Sequence, residues 1–164
     1  MPRRGAGGGT AGVDDTARAT VDASRALVGV AVRSMAQALE EVTLTQYRTL
    51  LLVVTHGPLR SGLLAEHVGV HASSFTRLAD RLVQDGWATR QENAANRREV
   101  LLAPTESGRR LVEDVMRRRE QEVARILAAL PAGRRRVVEQ GMRAFAGAAD
   151  EVAGPGDDPG GPVI

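Results

Sequence analysis

Residues 61–103, SGLLAEHVGVHASSFTRLADRLVQDGWATRQENAANRREVLLA, decide the fold. They read in order as a short helix, a tight turn, a second helix and a hairpin. Leu63, Leu64, Ala65 and Val68 give the first helix an apolar side, and Gly69 followed by Val70 interrupts it. A small-residue break between two short amphipathic helices is the mark of a helix-turn-helix. The second helix is predicted from about Ala72 to Asp85 and ends at Gly86, since glycine enters the left-handed region past a helix end without steric cost.

On a helical wheel Phe75, Leu78, Ala79, Leu82 and Val83 share one arc, and Ser73, Ser74, Thr76, Arg77, Asp80, Arg81 and Gln84 fill the other. The polar arc has short hydroxyls near its N-terminal end and two arginines one turn apart. A helix lying in a DNA major groove needs small donors and acceptors against base edges and guanidinium forks for guanine or phosphate. Ser73, Ser74, Thr76, Arg77 and Arg81 are therefore the candidate DNA contacts of this helix. The same arginines would suit a solvated surface, and it is the adjoining hydroxyls, turn and hairpin that favour DNA.

After Gly86, the run Trp87 to Gln91 and the run Arg98 to Ala103 are rich in β-formers and enclose a polar tip, Glu92 to Arg97. That pattern predicts the β-hairpin wing of a winged helix. Asn93 or Asn96 is expected to take left-handed dihedrals in the tip. Arg97 and Arg98 are expected on the tip loop, where a guanidinium can enter a minor groove or meet phosphate.

Working outward, Val21, Ala23, Leu27, Val28, Ala31, Val32, Met35, Leu39 and Val42 recur at helical spacing and predict a long first helix from Asp14 or Thr16 to about Glu41. Leu44 to Thr55 predicts a mostly buried helix closed by Gly57 and Pro58. Thr105 to about Ala129 predicts another, and Pro131 opens a last helix with Val138, Met142, Phe145, Ala149 and Val152 at coiled-coil-like spacing. The helices outside the winged module each carry an apolar stripe that needs cover, and a second copy of the chain is the commonest cover. The expected organisation is a disordered arm over 1–13, one domain over 14–153 and a flexible tail over 154–164. Within the domain the winged module spans 44–103 and the dimerisation helices span 14–42 and 105–153. The fold class is mainly α with a small β-hairpin (α+β).

The motifs L-T-Q-Y-R-T-L-L-L, L-A-E-H-V-G-V, S-S-F-T-R-L-A-D-R-L-V-Q-D-G-W, N-R-R-E-V-L-L and P-T-E-S-G-R-R-L stand in an order and spacing by which the chain resembles the MarR family, from Val21 to Val152. The resemblance implies a cytoplasmic homodimer that binds double-stranded operator DNA, most often a repressor released by a small phenolic or other aromatic effector. It implies an effector cleft between the dimer helices and the winged module, for which Met35, Leu39, Tyr47, Leu51, Leu111 and Val115 are candidate walls and Arg48 and His56 candidate polar anchors; each also suits plain core packing. Two positions depart from the family pattern. Asn96 stands where an aspartate often precedes the wing arginines, and His71 stands where a Ser or Thr cap is usual.

Composition sets limits. The chain has 164 residues and no cysteine, which excludes disulfide scaffolds, thiolate metal sites and thiol-based peroxide sensing. All 22 basic residues are arginine and the net charge is only +2, so placement of charge carries more information than its sum. His67 and His71 are four apart but Gly69 breaks the helix between them, and no cofactor or metal is expected. Ser73 and Ser74 beside His71 lack an orienting carboxylate and an oxyanion arrangement, so an enzyme is not expected. No apolar run reaches membrane-spanning length. The alternative is a winged helix that binds protein and no DNA; such a face would carry aromatic or aliphatic anchors.

Overall fold

The computed structural model describes residues 8–93 and 96–153. Helix α1 (Gly8–Met35) leads into a single turn α2 (Ala38–Glu41), then α3 (Leu44–His56), strand β1 (Leu59–Arg60), α4 (Ser61–Val68), α5 (Ala72–Gln84), β2 (Ala88–Asn93), β3 (Asn96–Pro104), α6 (Glu106–Ala128) and α7 (Ala132–Ala153). The strands form one antiparallel sheet in the order β1-β3-β2. Helix α3 is the pillar. It packs on α4, α6 and β3, while α1 lies along α6 and α5 rests on α4 and β2.

The core is the set of residues that the helical and strand periods place inward: Tyr47, Leu50 and Val53 from α3, Leu64 and Val68 from α4, Phe75, Ala79 and Leu82 from α5, Leu102 from β3, and Leu111, Val112 and Val115 from α6. Burying each of the larger side chains contributes about 1.5–3 kcal/mol. Two helix starts are fixed by local sequence. Thr43 accepts from the Gln46 amide while its own amide donates to Gln46 Oε1 at 2.8 Å, a reciprocal capping box. Thr105 caps α6 by accepting from Gly108 N at 3.2 Å, which satisfies an amide with no partner inside the helix.

The structure corrects several boundaries. The arm predicted over 1–13 is helical from Gly8; extending a helix already nucleated costs little per residue, and Thr16 Oγ1 donates back to Gly12 O at 2.8 Å. Residues 1–7 and the tail 154–164 lie outside the described residues. The predicted long first helix breaks after Met35, where bonds tighten to three-residue spacing (Ala36 N to Arg33 O, Glu40 N to Gln37 O) so that Ala38 and Val42 turn onto the core. No breaker residue marks that point. Strand β1 was not expected: two residues, Leu59 and Arg60, pair with Leu102 and Leu101.

An ion pair of 2.8 Å between Arg33 Nε and Glu122 Oε2 ties α1 to α6. By contrast, no described residue of α7 is buried, and Val137, Met142, Phe145 and Val152 stand exposed. Among the described residues no helix is long and apolar enough to cross a membrane.

Candidate nucleic-acid interface

The turn between α4 and α5 is built on Gly69, whose φ of 72° lies in the left-handed region. Gly69 N donates to Glu66 O and Val70 N to Ala65 O, which closes α4 with paired carbonyls. His71 then starts α5 through its backbone, its carbonyl accepting from the Ser74 and Phe75 amides at 2.9 Å each; the imidazole makes no capping bond, as the departure at this position implies. At the other end Gly86 (φ 79°) and Trp87 repeat the pattern, with Trp87 N donating to Leu82 O at 2.9 Å.

Between these ends α5 divides as its sequence predicts. Phe75, Ala79 and Leu82 are buried, Leu78 and Val83 half-buried, and Ser73, Ser74, Thr76, Arg77, Asp80, Arg81 and Gln84 exposed. The outward face thus has no large apolar side chain. Thr76 Oγ1 donates to Ala72 O at 3.0 Å, leaving its lone pairs available outward. Asp80, the one acid between the arginines, pairs with Arg90 of β2, so its charge is neutralised from the hairpin and α5 is tied to the wing. The sequence does not announce that pair, because Asp80 and Arg90 lie on different elements.

The hairpin is longer than its polarity predicts. The segment read as a tip, Glu92 to Arg97, is largely strand, because a wing standing clear of the core has no inward face to fill and its ladder can continue through polar residues. Glu92 pairs with Val100 and the next residue, Asn93, with Asn96, so β3 carries an irregularity at 97–99. Arg97 and Arg98 therefore belong to strand β3, not to a tip loop; their side chains lie outside the described residues. Neither Asn93 nor Asn96 takes positive φ, which among the described residues is found only at Gly57, Gly69 and Gly86.

The eight residues suggested for an effector cleft differ in exposure. Met35, Tyr47, Leu111 and Val115 are core, Leu51 packs against it, and Leu39 and His56 are exposed. Arg48 Nη2 donates to His67 O at 3.3 Å, placing a cation at the C-terminal end of α4, where the helix dipole favours it. Burial raises the pKa of the Tyr47 hydroxyl above its ordinary value, an effect that the nearby Arg119 charge opposes. None of the eight lines the cleft of about 380 Å³ between α1 and α6, whose walls are Ser24, Leu27, Val28, Val30, Ala31, Arg119 and Val123. Among the described residues no group of three or more His, Asp or Glu side chains is placed to hold a metal.

Sequence reasoning missed Arg60, Arg90 and Glu99. Arg60 Nη1 lies 3.6 Å from Glu99 Oε1, and Glu99 Oε2 accepts from Asn93 Nδ2 at 2.9 Å. It also missed the Thr43-x-x-Gln46 capping box, for which the signal was present.

Comparison with known proteins places this geometry. The MarR family profile matches residues 42–100, from the end of α2 through most of the wing. The HTH-type transcriptional repressor MdtR of Bacillus subtilis (strain 168) is 35% identical over 89 residues, 54% of this chain and 57% of MdtR. Three curated relatives from that organism are spanned over only 64%, 40% and 57% of their lengths. Solved structures extend further. RV1404 from Mycobacterium tuberculosis is similar over 90% of this chain and 97% of its own, at 33% identity and a TM-score of 0.73. The transcriptional regulator Tm0710 from Thermotoga maritima is similar over 82% and 94%, at 25% identity and a TM-score of 0.71. With the winged module matched by the family profile and the flanking helices matched nearly end to end by a relative, the chain belongs to the MarR family of transcriptional regulators.

Proposed function

We propose that the protein is a sequence-specific DNA-binding transcription regulator that works as a homodimer. The observation that carries this reading is the outward face of α5, on which hydroxyls and arginines are exposed together with no apolar anchor, while the opposite face is locked into the core. Such a face suits base edges and phosphates and does not suit a protein partner. In a two-fold dimer the two α5 helices would enter successive major grooves, so the operator would be a pseudo-palindrome with half-sites about 34 Å apart. Repression is the direction favoured by the similarity to MdtR, a repressor by name.

Release by a small molecule is part of the same proposal. The cleft between α1 and α6 joins apolar walls to the guanidinium of Arg119, a combination that suits an aromatic acid. Whichever pocket the effector uses, it must bind the released state more tightly than the operator-bound one.

The test is substitution on α5. A duplex selected by the wild-type protein from a random library serves as probe. Arg77→Ala or Arg81→Ala is expected to weaken binding to it by about 1–3 kcal/mol with the melting temperature nearly unchanged. Unchanged binding, or a collapse of the melting temperature, would show that the face is assigned wrongly.

A further inference from the structure

A carboxylate spans the irregularity in the wing. Between the pairs Glu92 with Val100 and Asn93 with Asn96, strand β3 has Arg97, Arg98 and Glu99 without a ladder partner on β2. Such a bulge disrupts the ladder and bends the strand, so the direction of the segment beyond it must be fixed by something else. Glu99 is placed to do this. Its Oε2 accepts from Asn93 Nδ2 across the bulge at 2.9 Å, and its Oε1 faces Arg60 Nη1 at 3.6 Å. Asn93 is on β2, Glu99 on β3, and Arg60 ends β1 and opens α4. A single side chain, itself only about one-third exposed (34%), thus links all three strands and the start of the helix-turn-helix.

We propose that Glu99 is a wing-positioning residue: it fixes the bulged segment carrying Arg97 and Arg98 relative to the recognition helix, and so supplies from the C-terminal side the carboxylate that Asn96 lacks. The inference rests on the DNA-binding reading above. Its electrostatic consequence runs against intuition. An acid next to the wing arginines repels phosphate, so if it did nothing else its removal would tighten binding to any duplex. As a brace, its removal instead loosens the wing and weakens the fit to the preferred sequence.

Glu99→Ala and Glu99→Gln decide between these outcomes. Gln keeps the shape and can still accept from Asn93, but it loses the charge facing Arg60. In the free protein, amide exchange across 88–104 is expected to rise about five- to tenfold in Glu99→Ala and less in Glu99→Gln, as loss of a charge-assisted hydrogen bond and an ion pair predicts. Affinity for the selected duplex should fall by a similar factor while that for a scrambled duplex holds or rises, so their ratio narrows. Unchanged exchange together with equal tightening on both duplexes would overturn the proposal. Should the wild-type protein fail to prefer the selected duplex, the DNA reading fails, and the exchange measurement still decides whether Glu99 braces the wing.

Discussion

Replacing Met142 or Phe145 by glutamate is expected to turn a dimer at micromolar concentration into monomers. Helix α7 has no described residue buried within its own chain, and Phe145 is 58% and Met142 44% exposed. A lone amphipathic helix gains little stability from its own hydrogen bonds, and a stripe at Val138, Met142, Phe145, Ala149 and Val152 needs a facing surface to be worth forming. The exposed side chains of α1, among them Val13, Val21 and Leu27, offer more of the same. In a two-fold interface each substitution occurs twice. Losing the burial of two phenylalanines costs about 4 kcal/mol, a factor of roughly a thousand in the dissociation constant, before the desolvation of two carboxylates is counted. Sedimentation equilibrium reads this directly. A wild-type protein that sediments as a well-folded monomer at all concentrations would remove the basis for the dimer.

Gly108→Ala is expected to destabilise the fold by about 3 kcal/mol, lowering the melting temperature by roughly 6–12 °C. The methyl group would come within 2.2 Å of the Trp87 carbonyl oxygen and 3.3 Å of Leu50 Cδ2. Neither neighbour is free to give way. Trp87 is held by its backbone N–H, which donates to Leu82 O at the end of α5, and its carbonyl accepts from the Thr105 amide and hydroxyl at 3.1 Å each. This contact fixes where α6 leaves the sheet, so the strain reaches both the wing base and α6. Gly62→Ala is the control, since nothing lies within 4 Å of its added carbon. It should leave the melting temperature unchanged or slightly higher.

Most of what positions the site is written in local periodicity. Phe75, Leu78, Ala79, Leu82 and Val83 fix the inward face of α5 by spacing alone, and with it the outward identity of Arg77 and Arg81. Gly69 and Gly86 mark both helix ends because left-handed backbone there favours glycine. What stayed hidden depends on tertiary contact. Strand β1 is two residues long and has no pattern to read, and the break after Met35 follows packing onto α3. Arg97 and Arg98 were expected on a loop because their neighbours are polar, a cue that fails where a hairpin leaves the core. The pairs Asp80 with Arg90 and Glu99 with Arg60 join elements that sequence spacing cannot relate. For the effector candidates the apolar stripe says only that a side chain is inward, not whether it meets a cleft or another side chain: Tyr47 and Val115 are fully enclosed, whereas Leu39 is exposed.

The most direct test of the central claim is the salt dependence of binding by the wild-type protein, measured for a selected and a scrambled duplex of equal length. If α5 and the wing engage DNA, log K should fall linearly with log salt for both, by about 0.9 per phosphate contacted, as bound counterions are released. At fixed salt the selected duplex should remain preferred by about a thousandfold or more. Affinity that does not change with salt and does not distinguish the two duplexes would contradict the account.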